Sequence, residues 1–321
     1  MIDRRRMLTG WLALTLGAWS RVARANSVLR LVVPFPPGGS PDLLARTLAT
    51  DMGPALQQNI MIDNRPGAGC TLGAGEVARA APTGSTLLVG QVGNLAVAPS
   101  LYPALPYQPT KSFVPVSGLA RVPNVLVVRS DSNIGTLADL IAQARAKPNG
   151  LTFSSGGNGS AAHIAFEFLK LKAGIAMLHV PYRGTAPSIT DLLGGQVDAT
   201  FTGTPAVLPH VRAGRLRAIA VSSLRRLKAL PQVPTVAESG FDGFDADQWY
   251  GIVAPARMNV EAVKRINAAI VEALHSPSVV AAFDREGAIP MPSTPAAFGD
   301  LIAREIPRWA EVVKASGMTT N

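Results

Sequence analysis

The feature that most constrains this chain is an order that repeats along it: a short apolar, β-branched run, a loop rich in glycine or proline, then a stretch with helical periodicity. Residues 29–35 make such a run, Pro36, Pro37, Gly38 and Gly39 break it, and Ser40-Pro41-Asp42 open a pattern carrying Leu43, Leu44 and Leu48 on a helical repeat. The order recurs at 60–63 before Asn64-Arg65-Pro66-Gly67-Ala68-Gly69 and a helix reaching Ala80, with another strand at 85–89. A second series runs from Val125 through a helix at 136–146, a strand at 151–154, a helix at 161–172, a strand at 177–182, a helix at 186–193, a strand at 197–201, a helix from Pro205 and a strand at 216–222. Strands alternating with helices require helices layered on a mostly parallel sheet, an α/β architecture. The Pro- and Gly-rich stretch 230–244 reads as a connector, followed by a strand at 249–254 and helices at 260–274 and near 295–315.

At 321 residues the chain exceeds one average domain. The middle third is bracketed by Arg121-Val122-Pro123 and by the connector, so residues 124–246 are expected to form a second lobe inserted into a discontinuous first lobe of 26–123 and 247–321. Residues 1–25 have the plan of a secretory signal: arginines at 4, 5 and 6, an apolar stretch from Trp11 to Trp19, and Ala23-Arg24-Ala25 as a small-x-small cleavage site. Arg4-Arg5 also fits the twin-arginine type of export signal, and the Sec route fits as well. An exported protein would begin at Asn26. The net charge of +9 owes much to that segment, and the basicity left over is scattered apart from Arg225, Arg226 and Lys228, which argues against nucleic-acid binding. A single cysteine, Cys70, allows no intrachain disulfide.

The loops carry the chemistry. The start of the first helix, with Ser40 as expected N-cap and Pro41 as first helical residue, gathers free N–H groups that favour an anion. Ser155, Gly156, Asn158, Gly159 and Ser160 occupy an equivalent strand-to-helix loop, Arg183, Gly184, Thr185 and Ala186 a third, and Thr204, again read as a cap, a fourth. In an open α/β sheet such loops gather at the carboxyl ends of the strands, where ligands bind. Asp42 places a carboxylate near the first helix start, so its expected job is capping or orientation. His163, just inside a helix, could touch ligand or make a structural hydrogen bond. Arg183 could pair with a carboxylate or sit in an ion pair, and Trp249 could cover the cleft or belong to the core. Gly157-x-Gly159-x-x-Ala162 formally matches a dinucleotide fingerprint, but Tyr182 and Arg183 stand where an acidic residue would meet ribose. There is no Gly-Lys-Ser/Thr phosphate loop, no Gly-x-Ser-x-Gly elbow and no His-Glu-x-x-His, and the four histidines show no metal-ligand spacing. No catalytic residue, metal or cofactor is expected.

Taken in order, Val33-Pro34-Phe35-Pro36-Pro37-Gly38-Gly39-Ser40-Pro41-Asp42, Asn64-Arg65-Pro66-Gly67-Ala68-Gly69, the 154–163 loop, Pro181-Tyr182-Arg183-Gly184-Thr185-Ala186-Pro187 and the 231–240 segment resemble the Bug family of extracytoplasmic solute receptors over almost the whole mature chain. That family supplies binding components to tripartite tricarboxylate transporters. The resemblance implies a periplasmic, two-lobed Venus-flytrap fold of the type II periplasmic-binding-protein kind, with a ligand cleft between the lobes and main-chain amides and waters holding a carboxylate. It implies a monomeric receptor whose partners are a small carboxylate and membrane transporter components. Carried over by residue, the 36–42 and 155–160 loops would make the carboxylate site, with Thr185 and Ala186 beside it. Cys70 stands where the family has glycine, Thr83 and Ser85 depart from its Pro-Asp-Gly-Tyr turn, and Thr202-Gly203-Thr204 departs from its more usual acidic or amide-bearing sequence. A ligand-dependent sensing partner would share the same cleft. An exported hydrolase would need a nucleophile and base that the sequence does not pair.

Overall fold

Eleven strands in two separate sheets organise residues 28–319, the part of the chain that this computed structural model describes; the expected signal segment lies outside it. Along the chain the elements are β1 (Val28–Val33), α1 (Ser40–Leu56), β2 (Asn59–Asn64), α2 (Thr71–Ala78), β3 (Thr86–Gln91), α3 (Ala98–Leu101), α4 (Pro109–Ser112), β4 (Phe113–Val122) and β5 (Asn124–Arg129). They continue with α5 (Leu137–Ala146), β6 (Thr152–Ser155), α6 (Ala161–Ala173), β7 (Leu178–Pro181), α7 (Thr185–Leu193), β8 (Ala199–Gly203), α8 (Thr204–Arg212) and β9 (Leu216–Val221). The chain then returns through β10 (Gln248–Pro255), α9 (Val260–His275), α10 (Pro277–Arg285), β11 (Ile289–Pro290) and α11 (Pro295–Ser316).

The first sheet has the order β11-β4-β10-β3-β1-β2 and the second β7-β6-β8-β5-β9. Strands β1, β2 and β3 are mutually parallel, as are β6, β7 and β8, so the loops that follow each trio leave from one edge of its sheet. The chain passes from β4 to β5 at Pro123 and comes back between β9 and β10, which gives the two lobes two crossings. A contiguous core joins them on one side. There α11 of the first lobe meets α6 of the second, with Phe168 edge-on to Trp309 at 5.9 Å and stacked on Phe244 at 4.8 Å.

Three features differ from the sequence expectation. Strand β4 is ten residues long yet contains Pro115 and Gly118, which mask its pattern; Pro115 is tolerated where the pairing with β10 shifts register. Helices α1 and α8 begin one residue earlier than expected, with Gly39 and Gly203 as N-caps, so Ser40 and Thr204 are first helical residues and neither caps with its side chain. Trp249 is 2% exposed on the face of β10 covered by α11, edge-on to Phe298 and donating from Nε1 to Glu305 Oε2 at 3.1 Å. It is a core residue, because alternation along the strand turns Trp249 and Val253 to α11 while Tyr250, Ile252 and Ala254 face the other core.

Candidate functional site

The loops after β1, β6 and β7 meet where the carboxyl ends of the two parallel trios face each other. Pro36, Pro37 and Gly38 are exposed on the first-lobe side. Across the gap, Gly184 has φ +122°, a backbone angle that favours glycine, and a Cβ on it would sit in ordinary contact, 3.7 Å from Pro36 Cγ, so the two loops lie beside each other. Tyr102 of the first lobe donates from its hydroxyl to Asn158 O at 3.4 Å. Thr185 lies against the 155–160 loop: a Cβ on Gly156 would be 3.3 Å from its Oγ1.

Which amides remain free follows from the hydrogen bonds around them. Asp42, 2% exposed, accepts from Gly38 N–H at 2.9 Å, from Asn64 Nδ2 at 2.9 Å and from Arg46 Nε at 3.0 Å. Burial alone would raise its carboxyl, but the bonds from Arg46, Gly38 and Asn64 outweigh it and hold the group below the usual carboxylate range. Asp42 therefore stays charged and organises the loop, and the Gly38 amide is spent on it. Gly39 and Ser40 N–H have no protein partner among the described residues, and the start of α1 lies beneath them.

In the second lobe, Gly157 N–H donates to Ser155 Oγ at 3.1 Å, Gly159 N–H to His163 Nδ1 at 3.1 Å and Ser160 N–H to Gly157 O at 3.1 Å. Gly156 and Asn158 N–H are left without partners among the described residues, as are Thr185 and Ala186 N–H at the start of α7. Ser160 Oγ caps α6 by accepting from His163 N–H at 3.3 Å. His163 is 4% exposed, so it serves the loop from below and does not offer its Nδ1 to a ligand. Thr204 is fully buried, with its hydroxyl and its N–H both directed to Pro123 O at 2.8 and 3.0 Å. It fastens the first crossing and presents no donor to the cleft. Arg183 is exposed at the rim and forms no ion pair among the described residues. The Cys70 residue is partly exposed but its thiol is enclosed, and burial pushes it up to about 12, which leaves no thiolate for nucleophilic chemistry.

Sequence reasoning passed over the segment after β3. A Cβ on Gly93 would lie 2.9 Å from Gly159 O, so this turn abuts the second-lobe loop directly. Asn94 follows, its Oδ1 accepting Gln91 N–H at 2.9 Å and its Nδ2 buried without a partner. The strand-to-helix placement was the available signal, but Gln91-Val92-Gly93-Asn94 lacks the Gly/Pro cluster that marks the other loops. A groove of about 860 Å³ lies elsewhere, on the second lobe beside α5 and β9. Its two guanidinium groups are already committed, Arg217 to the carbonyls of Ser130, Ser132 and Ile134 and Arg145 to Ala173 O. Among the described residues no three His, Cys, Asp or Glu side chains gather to hold a metal ion.

Residues 44–318 match the family model described as Tripartite tricarboxylate transporter family receptor. The chain belongs to that family. It is 42% identical to protein BugT of Bordetella pertussis over 290 residues, covering 90% of this chain and 89% of that protein. The structure of the periplasmic binding protein BugD superposes with a TM-score of 0.85 at 33% identity, covering 91% of this chain and 98% of that one. An R. palustris protein solved with adipate superposes with a TM-score of 0.86 at 34% identity, covering 91% and 97%. This receptor family chain thus shares with them the two-lobed binding-protein fold.

Proposed function

We propose that the chain is a periplasmic receptor that captures a small carboxylate between its lobes and delivers it to membrane components of the tripartite tricarboxylate type. The carrying observation is the convergence of unspent N–H groups from both sheets: Gly39 and Ser40 from one, Gly156, Asn158, Thr185 and Ala186 from the other, two of the clusters at helix starts. Backbone amides and helix dipoles bind a carboxylate through charge-assisted hydrogen bonds and need no cationic side chain. Family membership and the adipate complex of the R. palustris relative support the same reading. So does BugD for the periplasmic location, for which the 1–25 segment would be the export signal.

A thermal-shift and calorimetry panel of di- and tricarboxylates, adipate included, identifies a ligand, since binding to the folded state alone raises the melting temperature. With that ligand, Gly156→Val should weaken binding by about 100-fold, because its branched side chain occupies the space between the Gly156 amide and Thr185 and removes charge-assisted bonds worth about 1.5–3 kcal/mol each. Arg183→Ala should cost less than about fivefold, the range of a solvent-screened ion pair. Normal binding by Gly156→Val together with loss of binding in Arg183→Ala would replace the amide mechanism by a side-chain ion pair.

A further inference from the structure

Beneath the second-lobe loop lies a pair of histidines, His163 buried and His179 half-buried, that reach its backbone. The rings of His163 and His179 stack with centroids 3.8 Å apart and 9° between planes, and Phe153 stacks on His179 at 4.9 Å. His163 Nδ1 accepts Gly159 N–H. His179 Nε2 is 2.7 Å from Ser155 Oγ, which accepts Gly157 N–H and donates to Gly157 O, both at 3.1 Å. A hydroxyl has one proton: with it on Gly157 O, Ser155 accepts from an Nε2–H of His179, and with it on Nε2 the ring is the acceptor, so in either arrangement the 2.7 Å contact ties His179 to Ser155. His163, with a bare Nδ1, carries its proton on Nε2, on the side of Glu167 Oε1 at 3.8 Å. The outcome is an alternation along the loop. Gly157 and Gly159, at φ +120° and +74°, turn their N–H groups to this support, while Gly156 and Asn158 keep theirs unspent.

We propose that His163 and His179 are positioning residues for the carboxylate loop, a stacked clamp that holds Gly159 directly and Gly157 through Ser155 so that the Gly156 and Asn158 amides are aimed together at the ligand. The clamp rests on the reading of 155–160 as a carboxylate site given under Proposed function. It works only with a neutral His163, because a proton on Nδ1 would set donor against donor at Gly159. The surroundings enforce neutrality. Burial, His179 and Lys170 push His163 down to about 3, and burial and Lys170 push His179 down to about 4. Lys170 Nζ lies 5.3 Å from the Phe153 centroid and 2.8 Å from Glu167 Oε1, the other charged group facing the pair.

Two substitutions separate clamping from packing. His163→Phe keeps an aromatic ring against His179 and Phe153 but removes the acceptor; His163→Asn sets an amide oxygen near the former Nδ1 and gives up the ring. Calorimetry with adipate, or with the tightest dicarboxylate of the panel if adipate does not bind, should show His163→Phe weakened at least tenfold and His163→Asn recovering most of the affinity. Melting temperatures should rank the other way, because the ring packs better than the amide. If His163→Phe binds as the wild type does, or His163→Asn binds worse than His163→Phe, the histidines only fill the core and the proposal falls. A ligand-free measurement keeps it separate from the functional reading. In deuterated protein, a 15N–15N coupling across the Gly159 N–H to His163 Nδ1 bond should be present, and the Gly156 and Asn158 amide shifts should move in His163→Phe and return in His163→Asn. Absence of the coupling overturns the clamp even if carboxylates bind. Its presence in a protein that binds no carboxylate overturns the functional reading and leaves the clamp standing.

Discussion

Asp42 is the residue on which the first-lobe loop depends, and it would be out of place beside an anion if its charge were not already committed. Its two oxygens take Gly38 N–H, Asn64 Nδ2 and Arg46, and Asn64 Nδ2 also donates to Phe35 O at 3.1 Å, which ties the end of β2 to the start of α1. Removing the carboxylate leaves those donors seeking acceptors. Asp42→Ala is expected to lower stability by about 3 kcal/mol in urea denaturation, as the loss of several bonds to a charged acceptor implies. Because the folded protein holds this carboxyl below 3.8, its stabilisation is complete above that value and disappears as pH falls through the lowered one. A loss below about 0.5 kcal/mol would mean that the loop keeps its shape without Asp42. An orienting role for this residue was legible from its place in the first helical turn; the partner Asn64, 22 residues away, carried no local signal.

At the scale of elements, the two crossings between lobes are locked to each other. Asn124, fully buried at the start of β5, donates N–H to Ser222 Oγ at 2.7 Å and Nδ2 to Ala246 O at 2.7 Å, and accepts at Oδ1 from Gln248 Nε2 at 2.6 Å. It thus joins the outgoing strand to both ends of the returning segment. Asn124→Ala keeps the backbone bond but leaves the Ala246 carbonyl and the Gln248 amide unpaired inside the protein, which should destabilise by about 2–4 kcal/mol. Hydrogen exchange should then quicken at Ser222 and Ala246 before the strands away from the crossing. Uniform exchange across both lobes would show that Asn124 supports the whole fold and not the crossing. Nothing local in the sequence marked β4, since a strand containing Pro115 and Gly118 resembles a loop until its register-shifted partner β10 is placed beside it.

For the whole molecule, buried and half-buried titratable groups pull stability in opposite directions with pH. His163 and His179 are held below 6.5 in the fold, so their contribution is complete above about 6.5 and is lost as pH falls toward 4 and 3. Asp247, 9% exposed and bonded through Oδ1 to Ser222 Oγ at 2.6 Å, is raised to about 7, chiefly by burial and then by Asp245, against the lowering pull of Ser222, Arg121 and Arg308. Its native form binds a proton more tightly than the unfolded chain does. Its contribution is therefore complete below 3.8 and is lost as pH rises through about 7. Asp247→Asn keeps an acceptor for Ser222 and removes the buried charge. The variant should gain about 2 kcal/mol at pH 8, within what a shift of this size allows, and match the wild type near pH 4. Denaturation midpoints at the two pH values check this, and an equal effect at both would show that the carboxyl does not titrate across the range.

Local pattern alone determined that this chain is α/β and that its loops leave the strands at glycines and prolines, because periodicity and backbone preference act over a few neighbouring residues. Only the tertiary structure decided which amides are free. It spent Gly38 on Asp42 and Gly159 on His163 and left Gly39 and Gly156 unpaired; it turned Thr204 to Pro123, 81 residues away, and Trp249 to Glu305, 56 residues away. The physical reason is that a buried polar group must find a partner wherever the fold supplies one, and residues equivalent in the sequence are separated into paired and unpaired donors by what packs against them.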